Sequence, residues 1–140
     1  MPAKQIWANL PTADVERTRH FYRELGFRPN HGRESPDLAS ILVGEGDFVV
    51  HFFAAERFRD SLEGAIADVG KGNEVMFTLS AESKAEVDEW TDRVRQAGGT
   101  IHFDPRHDSK PLYEENDFYT CVWADPDGHR FNVFFNAGKR

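Results

Sequence analysis

Six histidines, one cysteine and an excess of carboxylates are the groups in this sequence that could do chemistry. His51 is the most conspicuous, because it interrupts the longest apolar run, Phe48–Ala55. An imidazole there can serve as a base, a hydrogen-bonding anchor or a metal ligand. Glu74 opens another apolar segment, and a carboxylate there can move a proton or simply neutralise His51. His102 and His107 fall in a polar stretch, 102–116, and could reach a site only from a loop. His20, His31 and His129 have no second ligand at strand or helix spacing and are set aside. Cys121 is the single cysteine, so no internal disulfide and no four-cysteine zinc site can form. With no base beside it in an apolar strand, it reads as core rather than nucleophile. Asp125-Pro126-Asp127-Gly128 superficially suggests a calcium loop, but it is too short, and Pro126 fits a turn. Tyr113-Glu114-Glu115-Asn116-Asp117 is an acidic segment that could attract a cation.

The elements that must position these groups follow from patterning. Gln5–Leu10 is predicted as a buried strand closed by Pro11. Val15, Thr18, Phe21, Tyr22 and Leu25 recur at helical spacing, and Gly26 ends that helix. Phe27–Arg33 is predicted as a short edge strand. Leu38–Val43 and Phe48–Ala55 flank a Gly/Asp turn and predict a hairpin. Phe58, Leu62, Ala65, Ile66 and Val69 predict a connecting helix over 56–72, broken by Gly70-Lys71-Gly72-Asn73. Glu74–Ser80 is then a strand, and Ser83 caps a helix whose face carries Val87, Trp90, Val94 and Ala97. Thr100–Phe103 is a short strand, and 102–116 is predicted as a mobile loop. Phe118–Ala124 and His129–Asn136 form the last hairpin.

Composition narrows the classes. With 140 residues there is one domain's worth of chain, or two small repeats sharing a core. The net charge of -7 argues against phosphate-backbone binding and hence against nucleic acid as a partner. No apolar run approaches the ~20 residues of a membrane span. A cytoplasmic, reducing setting is the expectation, with no membrane partner.

The order β-α-β-β-β occurs twice, at an offset of about 72 residues, with Val15 matching Val87 and Gly26 matching Gly98. Asn9-Leu10-Pro11, Asp14, Phe21-Tyr22, Leu25-Gly26-Phe27, Gly98-Gly99 and Asp125-Pro126-Asp127-Gly128-His129 together resemble the vicinal oxygen chelate superfamily. That is the group of glyoxalase I, bleomycin-resistance proteins and extradiol dioxygenases. Within it the chain is most similar to the lactoylglutathione lyase-like proteins. The resemblance implies an α+β fold of two βαβββ modules, residues 5–55 and 73–136, forming a U-shaped mixed sheet around a cavity. It treats residues 1–140 as a single domain and implies a homodimer.

The resemblance also implies four ligand positions in metal-using relatives. Here they hold Trp7, His51, Glu74 and Asn132. Only His51 and Glu74 are competent ligands for a divalent metal, one short of a catalytic set, so no metal cofactor is expected. Alternation from these positions predicts an inward face with Trp7, Asn9, Val49, His51 and Phe53, then Glu74, Met76, Thr78, Asn132 and Phe134. His51 and Glu74 are the candidate catalytic pair. Trp7, Asn9, Phe53, Met76, Asn132 and Phe134 are candidate ligand contacts. This composition suits a small, partly aromatic molecule with a few polar anchors. Four readings stay open: a glyoxalase-like binding protein without the full metal set, a bleomycin-resistance type that sequesters a cationic antibiotic, a metal-dependent lyase, isomerase or dioxygenase using loop histidines, and a dimerisation module whose cavity is filled. Trp7, Trp123 and the acidic segment favour the second.

Overall fold

The structure is a computed structural model in which residues 2–138 are described. The chain divides into two compact units, Met1–Asp68 and Val69–Arg140. The first contains β1 (Trp7–Thr12), α1 (Val15–Glu24), β2 (Arg28–Pro29), β3 (Leu38–Val43), β4 (Phe48–Ala54) and α2 (Ala55–Leu62). Its sheet has the order β1-β4-β3-β2, with β1 parallel to β4 and the other pairs antiparallel. The second contains β5 (Met76–Ser80), α3 (Lys84–Ala97), β6 (Thr100–Phe103), α4 (Pro105–Asp108), α5 (Lys110–Asn116), β7 (Phe118–Ala124) and β8 (Arg130–Asn136). Its sheet order is β5-β8-β7-β6, again parallel in the first pair and antiparallel in the others. Each unit is therefore a βαβββ module with the same strand order, and the fold is α+β.

Each helix seals one face of its own sheet. Val15, Thr18, Phe21 and Tyr22 of α1 are buried, as the helical spacing requires. Tyr22 stacks on Phe52 of β4 with ring centroids 4.7 Å apart. Asp14 caps α1 by accepting from the Arg17 N–H. In the second unit Val87, Thr91 and Val94 are the buried face of α3, and Ser83 caps it by accepting from Glu86 N–H. Trp123 is sandwiched: it stacks on Trp90 at 6.2 Å and on Phe131 at 4.4 Å. Because strand side chains alternate, sealing Phe52 and Phe131 turns His51, Phe53, Arg130 and Asn132 to the opposite faces.

Several expected elements are corrected. The helix predicted over 56–72 ends at Leu62, where Glu63 adopts a left-handed conformation at φ 61°. None of the residues of α2 is buried, so the helix gains no packing that would prolong it. The strand predicted from Glu74 begins at Met76, leaving Glu74 in a bend. The polar stretch 102–116 is not a loop but two short helices. Pro105 and Pro111 stand in their first turns, and Asp104 accepts from Arg106 N–H. The strand predicted over 27–33 shrinks to Arg28–Pro29 at the sheet edge. The first strand also shifts, from 5–10 to Trp7–Thr12. Pro11 is tolerated inside it because β1 is an edge strand.

The two faces of β4 make a test. Replacing Phe52 with Ala is expected to destabilise the chain by about 3–5 kcal/mol, since it removes the ring under Tyr22. Phe53→Ala, on the face away from α1 where Arg57 of α2 lies 5.6 Å over the ring, should lose clearly less in urea denaturation, and equal losses would contradict the face assignment.

Candidate functional site

The register of the first sheet brings the expected residues together. Asn9 pairs with His51, which pairs in turn with Ser40. Trp7 lies opposite Val49 and Phe53 opposite Leu38. Trp7, Asn9, Ser40, His51 and Phe53 therefore share the face away from α1. His51 is held edge-on between two rings, with centroids 6.4 Å from Trp7 and 5.6 Å from Phe53. Trp7 remains 49% exposed, so this face carries an apolar surface open to solvent.

The protonation state of His51 follows from its neighbours. Nδ1 lies 2.9 Å from Ser40 Oγ, and both residues are buried. Asn30 Nδ2 donates to the same Ser40 oxygen at 3.2 Å. Ser40 Oγ thus already accepts one bond, and among the described residues His51 Nδ1 is the acceptor left for its hydroxyl proton. A buried hydroxyl without an acceptor costs about 1–3 kcal/mol, which favours Ser40 as donor to Nδ1. The ring proton then sits on Nε2, which makes no hydrogen bond within the described chain. Burial, together with the charge of Arg33, lowers the His51 pKa, so the ring is neutral near pH 7. His51 accordingly presents a neutral Nε2–H donor between two aromatic rings.

In the second sheet Thr78 pairs with Asn132, which pairs with Val122. Met76 and Arg130 form the row before it, and Ser80 and Phe134 the row after. Met76, Asn132 and Phe134 share the face away from α3. Asn132 has its amide fully engaged. Its Oδ1 accepts from Thr78 Oγ1 at 3.2 Å, and its Nδ2 donates to Cys121 O at 3.2 Å and to Thr120 Oγ1. Glu74 is exposed in its bend, and it belongs to the second unit while His51 belongs to the first.

The four positions implied as metal ligands do not match a divalent-cation set. Trp7 has no ligating lone pair. Asn132 offers only a neutral carbonyl, which already accepts from Thr78. His51 Nδ1 is taken up by Ser40, so Nε2 alone faces outward, and one imidazole falls short of a catalytic ligand set. Glu74 alone remains, exposed in its bend. Of the loop histidines, His102 sits in the β6 bulge and His107 is exposed on α4.

The remaining sequence candidates resolve as structure. Cys121 is buried, and desolvation pushes its thiol up to about 11, so it is not a thiolate nucleophile. Asp125, Asp127 and His129 each bring a ligand atom within 4.8 Å of the others. Asp125 Oδ1, however, accepts the N–H groups of Asp127, Gly128 and His129, which is the work of a turn. Trp123, an aromatic that favours antibiotic binding on sequence grounds, is fully buried core. The acidic segment forms the end of α5 on the helix side of the sheet. There Tyr113 meets Tyr119, whose hydroxyl donates to Asp88 of α3.

Sequence reasoning misses two residues. Ser40 sets the His51 tautomer, and it becomes visible only through register. Arg130 lies two positions before Asn132, and alternation alone assigns it to the same face.

The lowered His51 pKa gives a signed pH dependence. The unfolded chain takes up the His51 proton first as pH falls, so this contribution is present above about pH 6.5 and is lost on acidification toward the folded-state pKa. His51→Gln is expected to flatten the fall in stability between about pH 7 and pH 5 in urea denaturation. An unchanged slope would contradict the buried neutral ring.

Comparison with known proteins follows the same lines. The family model described as Glyoxalase/Bleomycin resistance protein/Dioxygenase superfamily matches residues 4–133. No curated protein matches the chain. Hypothetical protein SA1046 from S. aureus is similar in structure, with TM-score 0.80 and 28% identity, over 96% of this chain and 95% of that one. A glyoxalase-related enzyme from Fulvimarina pelagi gives TM-score 0.74 and 21% identity over 96% and 89% of the two chains. A family enzyme from Burkholderia phytofirmans PsJN gives TM-score 0.74 and 19% identity over 95% and 99%. With its paired βαβββ units and a family match over nearly its whole length, the chain belongs to the glyoxalase/bleomycin resistance protein/dioxygenase superfamily.

Proposed function

We propose that this chain binds a small, partly aromatic molecule on the open faces of its sheets, without a divalent metal. The observation that supports this best is the His51 Nε2–H, fixed by the Asn30–Ser40 chain and flanked by Trp7 and Phe53. Such a group gives a carbonyl or other acceptor one directed hydrogen bond, while the rings cover its planar part. Asn9, beside His51, is proposed as a second polar contact. Met76, Asn132 and Phe134 are the contacts proposed on the second sheet. His51 in this reading holds and polarises an acceptor. Glu74, exposed ahead of β5, is given no proton-transfer role. The reading extends to a cytoplasmic homodimer. β1 and β5 are edge strands, and Ile6, Trp7, Val75 and Met76 leave apolar surface exposed along them.

The antibiotic-sequestering alternative loses two of its supports. Trp123 is core, and the acidic segment belongs to the helix side of its sheet.

Screening planar carbonyl compounds by thermal shift tests the proposal. A ligand at about a thousand times its Kd should add about 4 kcal/mol of stability. His51→Phe should weaken such a ligand by about tenfold or more, as expected for one lost hydrogen bond to a buried donor. Elemental analysis of protein purified without chelator should find divalent metal far below one per chain. A stoichiometric ion, or binding indifferent to His51, would overturn the reading.

A further inference from the structure

Arg130 is the cation on the open face of the second sheet, and it is unmatched. Its Nε is buried without a hydrogen-bond partner. Among the described residues its guanidinium forms no ion pair and no hydrogen bond. Arg19 meets Glu16 and Glu34, Arg28 meets Asp47, Arg95 meets Asp104, and Arg106 meets Asp92 through two bonds of 2.9 Å, while Arg23, Arg33 and Arg59 are exposed to solvent. A chain with 24 acidic and 17 basic residues has carboxylates to spare, yet among the described residues none stands against Arg130. Arg130 is half-buried, and a buried N–H donor without an acceptor costs about 1–3 kcal/mol. An acceptor brought by a ligand would relieve that cost.

We propose that Arg130 anchors the carboxylate of a small organic acid whose apolar body rests on Met76. This names the ligand class for the second sheet and rests on the ligand-binding reading above. The planar guanidinium offers parallel N–H donors that suit a carboxylate. Register places Arg130 between Met76 of β5 and Ala124 of β7. Met76 is 49% exposed, so apolar surface lies directly beside the charge. His102 sits at the β6 irregularity between Ile101 and Phe103, where burial and the nearby Arg130 charge both lower its pKa. It therefore stays neutral near pH 7 and adds a hydrogen-bonding group rather than a second charge. No lysine and no other arginine lies on the β5, β6, β7 and β8 positions of this face. One fixed positive charge matches a monoanion rather than a phosphate dianion.

Benzoate and its neutral counterpart benzamide are suitable probes, followed on the 15N-labelled chain through the backbone N–H resonance of Phe131, which every variant retains. Benzoate is expected to move that resonance saturably. Arg130→Gln should weaken benzoate about tenfold or more, as loss of a charge-assisted bond implies, and should leave any benzamide binding unchanged. Arg130→Lys, which keeps the charge but loses the fork, should fall between. Arg130→Gln should melt at or above the wild-type temperature, because an unpaired charge has been removed. Benzoate affinity unchanged in Arg130→Gln would overturn the anchor while leaving the binding reading intact. Equal losses for both probes would make Arg130 a packing residue and overturn it as well. If neither probe binds the wild-type chain, the anchor falls; if the carbonyl screen also fails, the binding reading falls with it.

Discussion

Alternation along the two strands β4 and β8 is the constraint on which the rest depends. Each strand runs beside a parallel neighbour and an antiparallel one, and each is covered on one side by α1 or α3. Stacking of Tyr22 on Phe52, and of Trp90 and Phe131 on Trp123, commits the odd or even residues to the core. A slip of one residue would exchange every core ring for a residue of the opposite face. The same commitment turns His51 away from α1 and Arg130 away from α3. The chemistry of this protein is thus a by-product of where its aromatic rings are buried.

Those faces are polar in a selective way. Asn132 bonds Thr78, Thr120 and Cys121, so it ties three strands of its sheet together. His51 is tied on one nitrogen only. Arg130 is tied on none. Among the described residues, these faces leave two donors open, the His51 imidazole in one unit and the Arg130 guanidinium in the other, beside the Asn9 carboxamide. Donor-rich faces in an acidic protein suit ligands that bring acceptor oxygens.

Much of the fold is legible in the amino-acid order itself. The helical spacing of Val15, Thr18, Phe21 and Tyr22, and the Asp-Pro-Asp-Gly hairpin, carry it, because period and turn chemistry are local signals. The placement of Trp7, Asn9, His51 and Phe53 on one face follows from alternation. What cannot be read is non-local. The Ser40–His51 pairing needs strand register, and register is a contact between segments 11 residues apart in sequence. The two helices in 105–116 escape notice because polarity suggests a loop, while Pro105 and Pro111 are in fact first-turn prolines. Ser109 between them is buried against the backbone of Thr120, taking both its N–H and its C=O beyond the end of β6. No composition rule announces such a substitute for a strand. Arg130 is within reach of the alternation argument, but the positions implied by family resemblance draw attention to Asn132 and Phe134 instead.

On this account His51 faces its ligand as a neutral donor. Long-range 1H–15N correlation of the His51 imidazole reads this directly. A proton on Nε2 with Nδ1 accepting from Ser40 is expected near pH 7, with Ser40→Ala weakening that preference. A proton on Nδ1, leaving a bare Nε2 that responds to added zinc, would contradict it and restore this position as a metal ligand.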